Sequence, residues 1–141
     1  MQGQCFCGAV RYRLRTPPQS AYYCHCRDCQ YLAGAPFHVL AVVDSDAVEL
    51  LSGELHAYRH STQDGSELTR ESCRVCGTPL FNTSTRWDDI RMISVSSLDD
   101  PEAVSPSFEI WTRSQRSWAH IEPGIDSHPY GALDGSEEPG A

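Results

Sequence analysis

The chain of 141 residues contains no lysine, and all eleven of its basic residues are arginine. Its formal charge is −8, so it lacks the basic surface that a phosphate backbone needs, and nucleic acid is not an expected partner. Long apolar runs are absent too: nothing approaches the roughly 20 residues that cross a bilayer, and no membrane partner is expected. Met1-Gln2-Gly3-Gln4-Cys5 has neither the basic start nor the apolar stretch of a secretory signal. The expected compartment is therefore the cytoplasm, where thiols stay reduced and disulfide frameworks are rare. What the chain does have is cysteine, at positions 5, 7, 24, 26, 29, 73 and 76. An odd number in tight clusters argues against complete pairing and for metal.

The first pair is Cys5-Phe6-Cys7-Gly8 and the last is Cys73-Arg74-Val75-Cys76-Gly77. Each pair supplies two ligands, whereas a structural zinc site takes four in a tetrahedron. Joining the pairs closes such a site and ties the N-terminus to the middle of the chain. Gly8 and Gly77 allow the tight turns that let backbone approach the sulfurs. The middle cluster, Cys24-His25-Cys26-Arg27-Asp28-Cys29, places three thiols within six residues. In an extended segment Cys24 and Cys26 face one way and His25 the other. Three ligands and a free coordination position are the pattern of a reactive zinc rather than a structural one. Other readings remain open at this point: a second closed site completed by His38, His56 or His60, a redox pair at Cys26 and Cys29, or cysteines buried as small hydrophobes. Two zinc ions on seven thiolates would carry the net charge to about −11.

The rest of the chain reads as mainly β. Val10, Tyr12 and Leu14 alternate with Arg11, Arg13 and Arg15, the period of a half-buried strand. Phe37 to Val43, Val48 to Leu51, Leu55 to His60 and Glu67 to Ser72 are predicted strands, with Ser52-Gly53 and Asp64-Gly65 as turns. Met92 to Val95 and Phe108 to Thr112 are two more. Helix is expected only as a short stretch over Cys26 to Ala33 and a brief start at Pro101. From Glu122 the composition turns to Gly, Pro, Asp and Glu, so residues 1–121 are expected as one domain and 122–141 as an irregular tail.

The order C-x-C-G-x-V-R-Y from Cys5, C-H-C-x-x-C from Cys24, C-x-x-C-G-T-P-L from Cys73, L-D-D-P from Leu98 and I-W-T-R-S from Ile110 resembles the glutathione-dependent formaldehyde-activating family, also called the centromere protein V family. The resemblance runs from Cys5 to about Trp118. It implies a β-tent of small antiparallel sheets organised around zinc. It implies a structural zinc on Cys5, Cys7, Cys73 and Cys76, and a catalytic zinc on Cys24, Cys26 and Cys29. It implies a carbon–sulfur lyase acting on adducts of a glutathione-like thiol with formaldehyde or a related aldehyde. The alternative is a zinc scaffold without catalysis. The sequence departs from the family pattern at Gln30, at Glu109 and at Gln115-Arg116-Ser117-Trp118. By residue type, His25, His38 and Asp28 are candidates to move a proton. Arg27, Arg59 and Arg113, with Trp111 as a wall, are candidates to hold the carboxylates of such a thiol.

Overall fold

The computed structural model describes residues 1–131. Eleven strands and one α-helix make up the regular structure: β1 (Gln2–Gln4), β2 (Arg11–Leu14), β3 (Ser20–Cys24), α1 (Arg27–Ala33), β4 (His38–Asp44), β5 (Val48–Ser52), β6 (Leu55–Ser61), β7 (Glu67–Cys73), β8 (Pro79–Ser84), β9 (Trp87–Ser94), β10 (Phe108–Ile110) and β11 (Asp126–Ser127). Single 3₁₀ turns cover Val95–Ser97, Pro101–Ala103 and Thr112–Ser114. The expected mainly β architecture is what forms. No helix among the described residues is long and apolar enough to cross a membrane.

Strands β1, β2 and β5 form a small antiparallel sheet, and the other eight form a second sheet in the order β11-β10-β3-β4-β9-β8-β7-β6. The series from β3 to β6 is antiparallel throughout. At its other end β10 joins β3 in parallel and β11 joins β10 in parallel. Residues 122–131 thus include a strand docked on the sheet, and Trp111 and Thr112 donate backbone bonds to the carbonyls of Tyr130 and His128. Positions 132–141, the last part of the expected tail, lie outside the described residues.

Successive residues of a strand point to opposite faces, and the large sheet uses this to separate two cores. Ala21, Ala41, Val43, Phe81 and Ile93 pack with Tyr12, Val10 and Leu14 of the small sheet. Tyr22, Cys24, Leu40, Val42 and Met92 belong to a second cluster with Cys29 and Ile110. The two sheets meet where Tyr12, fully buried, sets its ring edge-on to Phe81 at 5.0 Å and hydrogen bonds Ser97 at 2.7 Å. Burying one such side chain stabilises by about 1.5–3 kcal/mol. Cys5 and Cys73 belong to the first core, Cys24 and Cys29 to the second.

Candidate metal centres

The sulfurs of Cys5, Cys7, Cys73 and Cys76 all lie within 4.8 Å of one another. Cys5 and Cys7 are 3.6 Å apart and Cys7 and Cys73 3.9 Å. Four thiolates at about 2.3 Å around a tetrahedral zinc stand about 3.8 Å apart, so this donor set fits that ion. Local backbone explains the cluster. Gly8 and Gly77 take φ of 80° and 78°, the left-handed turn that reverses the chain after each pair. The backbone N–H of Val10 points at Cys5 Sγ, and those of Val75 and Cys76 point at Cys73 Sγ. Such donors favour the charged thiolate. The Thr78 hydroxyl, 3.1 Å from Cys76 Sγ, holds that thiol down to about 5.

Cys24, Cys26 and Cys29 form the second set, again within 4.8 Å of one another. Cys24 ends β3. Cys26 is the N-cap of α1, and its sulfur accepts from the Cys29 amide in the first turn. The strand end, the cap and the turn thus aim three sulfurs at one point. Ionising more than one of them is unfavourable unless a cation is shared. Contacts from Cys24 and Cys29 hold the Cys26 thiol down to about 3, while contacts with Cys26 and Cys29 push Cys24 well above its ordinary value. One negative charge is accommodated and further ones are not, a conflict that a divalent ion relieves by drawing all three protons off. Among the described residues no fourth His, Cys, Asp or Glu joins this group. His38 hydrogen bonds Ser94, His60 accepts from Arg70, and His56 is exposed on β6.

His25 does face away, as the alternation predicts. It is fully buried and its Nε2 donates to Glu109 Oε2 at 2.8 Å, while Ser127 donates to Glu109 Oε1 at 2.5 Å. Glu109 therefore clamps the cysteine loop to β10 and β11 from behind. Gln30 has a matching role, donating to the carbonyls of His25 and Ser114 at 2.7 and 3.0 Å. These two of the three departures from the family pattern thus engage the chain itself. Glu109→Ala strands the fully buried His25 donor, while the exposed Ser127 hydroxyl can turn to water, and urea unfolding should show a loss of about 1–3 kcal/mol. Glu109→Gln, still able to accept, should lose less. An alanine variant as stable as the parent would show that the clamp holds nothing.

The three sulfurs open into a cavity of about 460 Å³. Its apolar wall includes Tyr22, Leu40, Leu68, Met92 and Ile110, and its polar wall includes Asp28, Arg27, Arg70 and Asn82. Trp111 also lines it, with φ of 59°, a conformation that costs a non-glycine residue about 1–2 kcal/mol. Asp64 is held by Ser66 and Thr62 and pairs with Arg86 at 3.2 Å, closing one rim. Of the candidate substrate residues, Arg27 and Trp111 reach the cavity wall and Arg59 and Arg113 do not. Arg59 pairs with Thr69 across β6 and β7 while Tyr58 pairs with Arg70, so Arg59 lies on the opposite face. Arg113 stacks on Tyr130 at 5.2 Å. Arg70 reaches the site instead. Its position in an apparently ordinary strand, Leu68-Thr69-Arg70-Glu71, carries no signal beyond its parity with Leu68.

The chain is 26% identical over 127 residues, 86% of its own length and 81% of the other's, to a Halomonas elongata protein provisionally named a glutathione-dependent formaldehyde-activating enzyme. A crystal structure of a Rhodobacter sphaeroides protein shares the fold with a TM-score of 0.59 at 18% identity, covering 91% of this chain and 99% of that one. The model of the family described as glutathione-dependent formaldehyde-activating enzyme matches residues 1–114, which include all seven cysteines, and the chain belongs to that family.

Proposed function

We propose that the protein is a zinc-dependent carbon–sulfur lyase acting on adducts of a small thiol, glutathione or a relative, with formaldehyde or a similar aldehyde. In this reading Cys5, Cys7, Cys73 and Cys76 hold a structural zinc, and Cys24, Cys26 and Cys29 hold the zinc of the active site. The observation that carries it is the asymmetry of the two centres: four sulfurs close one, while three sulfurs front a cavity at the other. Zinc bound to the three thiolates would supply a soft, electron-accepting centre that favours a thiol in its deprotonated form.

The chain's own residues supply the rest. In the forward direction the thiol sulfur bonds to the aldehyde carbon, the carbonyl π bond breaks, and the sulfur's proton ends on the new hydroxyl oxygen. In reverse the carbon–sulfur bond breaks and that proton returns. Bringing both reactants into one small cavity removes much of the entropic cost of their encounter. Asp28 and Asp64 are the carboxylates on the wall. Asp64 is committed to Thr62, Ser66 and Arg86 and is held down to about 2, which leaves Asp28 to accept and return the proton. His25 and His38 are occupied elsewhere, by Glu109 and Ser94. Arg27, bonded to Gln30 at the rim, is placed to meet a substrate carboxylate, with Trp111 as a flat wall.

Exchange NMR tests the reading. Protein loaded with two zinc ions should speed the interconversion of glutathione and S-(hydroxymethyl)glutathione well above the spontaneous rate. An exchange rate equal to that of buffer, from protein carrying both ions, would refute it.

A further inference from the structure

We propose that Arg70 is the residue that makes the three-cysteine centre select an anionic fourth ligand over a neutral one. The inference rests on the reading that this centre holds a divalent metal and takes a thiol. Arg70 belongs to β7, on the wall of the cavity contributed by neither the cysteine loop nor α1. Only 9% of it is exposed. Its Nη1 stands 3.9 Å from Cys29 Sγ, and its Nε donates to His60 Nε2 at 3.1 Å. By accepting that bond, His60 positions Arg70.

The described ion pairs do not include Arg70, although they occupy Arg11, Arg13, Arg74, Arg86 and Arg91. A buried cation without a carboxylate partner is costly unless something else nearby is negative. The negative group that Arg70 faces is the sulfur cluster. Three thiolates around a divalent ion leave a net charge of −1. An incoming thiolate raises that to −2 between apolar walls formed by Tyr22, Leu40, Met92 and Ile110. Repulsion there is weakly screened, and a fixed positive charge on the same cavity restores the balance. A neutral ligand adds no charge and gains little from Arg70. The other cations of the wall are placed differently: Arg86 pairs with Asp64, and Arg27 bonds Gln30 and lies 4.6 Å over the ring of Tyr31.

Cobalt(II) in place of zinc gives a spectroscopic readout independent of turnover. Protein loaded with two cobalt ions is titrated with 2-mercaptoethanol, with glutathione and with imidazole, following the sulfur-to-cobalt charge-transfer band and the visible d–d bands. In Arg70→Met the affinity for both thiols should fall about tenfold or more, while that for imidazole changes less than about threefold. Arg70→Lys, which keeps the charge, should recover most of the thiol affinity. Unchanged thiol affinity in Arg70→Met overturns the proposal. So does an equal loss for imidazole, which would mean a distorted site, or a loss for glutathione but not 2-mercaptoethanol, which would mean a clamp on substrate carboxylate. If Arg70→Met does not load two cobalt ions, Arg70→Lys and Arg70→Gln form the compared pair, and equal thiol affinities between them overturn it. Wild-type protein that shows no spectral response to either thiol refutes the proposed function itself, and this inference falls with it.

Discussion

Cys26→Ser should reduce metal content from two ions per chain to one and lower the rate of adduct exchange by about a thousandfold or more, equivalent to about 4 kcal/mol of transition-state stabilisation. The folded chain should survive. Cys26 is the N-cap of α1, and its sulfur accepts from the amide of Cys29. Serine is among the best residues for that position, because its hydroxyl oxygen takes the same bond. The substitution therefore removes a soft thiolate from the centre while leaving the helix capped. Metal analysis, circular dichroism and the exchange rate measured on one preparation separate these effects. A variant that keeps two zinc ions and full activity would remove Cys26 from the centre.

Cys73→Ser should do the opposite and cost folding before chemistry. Cys73 is 2% exposed, ends β7, and belongs to the core that joins the two sheets. Its sulfur lies 3.9 Å from that of Cys7, so the centre it belongs to staples the first strand of the chain to the seventh. Where a structural zinc forms only in the folded state, its binding free energy adds to folding. Domains of this kind are stable by only about 5–15 kcal/mol in total. A loss of about 5 kcal/mol or more is expected in urea unfolding, with poor soluble yield at 37 °C. Prolonged treatment of the parent with a strong chelator should reproduce the loss. Comparing the two serine variants tests the division of labour directly: one keeps its unfolding midpoint and loses turnover, the other loses its midpoint. Equal midpoints would mean that the four sulfurs stabilise nothing.

Much of this architecture is legible in the sequence, and the exceptions have physical causes. The alternation of Val10, Tyr12 and Leu14 with arginines appears as β2, buried on one side and exposed on the other. The apolar run before Asp44 appears as β4. Two central strands of the large sheet carry no comparable pattern. Strand β3, Ser20-Ala-Tyr-Tyr-Cys24, is covered on both faces, so it has no polar side to mark the period. Strand β8 opens with Pro79 and buries Asn82 and Ser84, residue types that argue for a loop until the cavity they line is known. Strand β11 has two residues in a stretch of turn composition and exists only because β10 offers a parallel edge.

The site divides in the same way. Cysteine spacing pointed to the two sulfur sets because local geometry brings residues two, three and five apart together, and two such pairs, though 66 positions apart, complete one tetrahedron. The cavity wall comes from register, which spacing does not encode. Arg59 and Arg70 are equally plausible as letters, yet pairing across β6 and β7 sends one to solvent and the other to the sulfurs. Glu109 was visible only as a departure from the family pattern. Its partners His25 and Ser127 lie 84 and 18 positions away, distances that only the folded chain closes.

The order of the large sheet leaves β6 as a terminal strand of seven residues, mostly exposed. Such a strand presents unpaired amides and carbonyls to any neighbour and invites intermolecular stacking. His56 and Arg59 sit on it in open solvent. On such a strand a fixed positive charge works against edge-to-edge pairing, and Arg59 places one there.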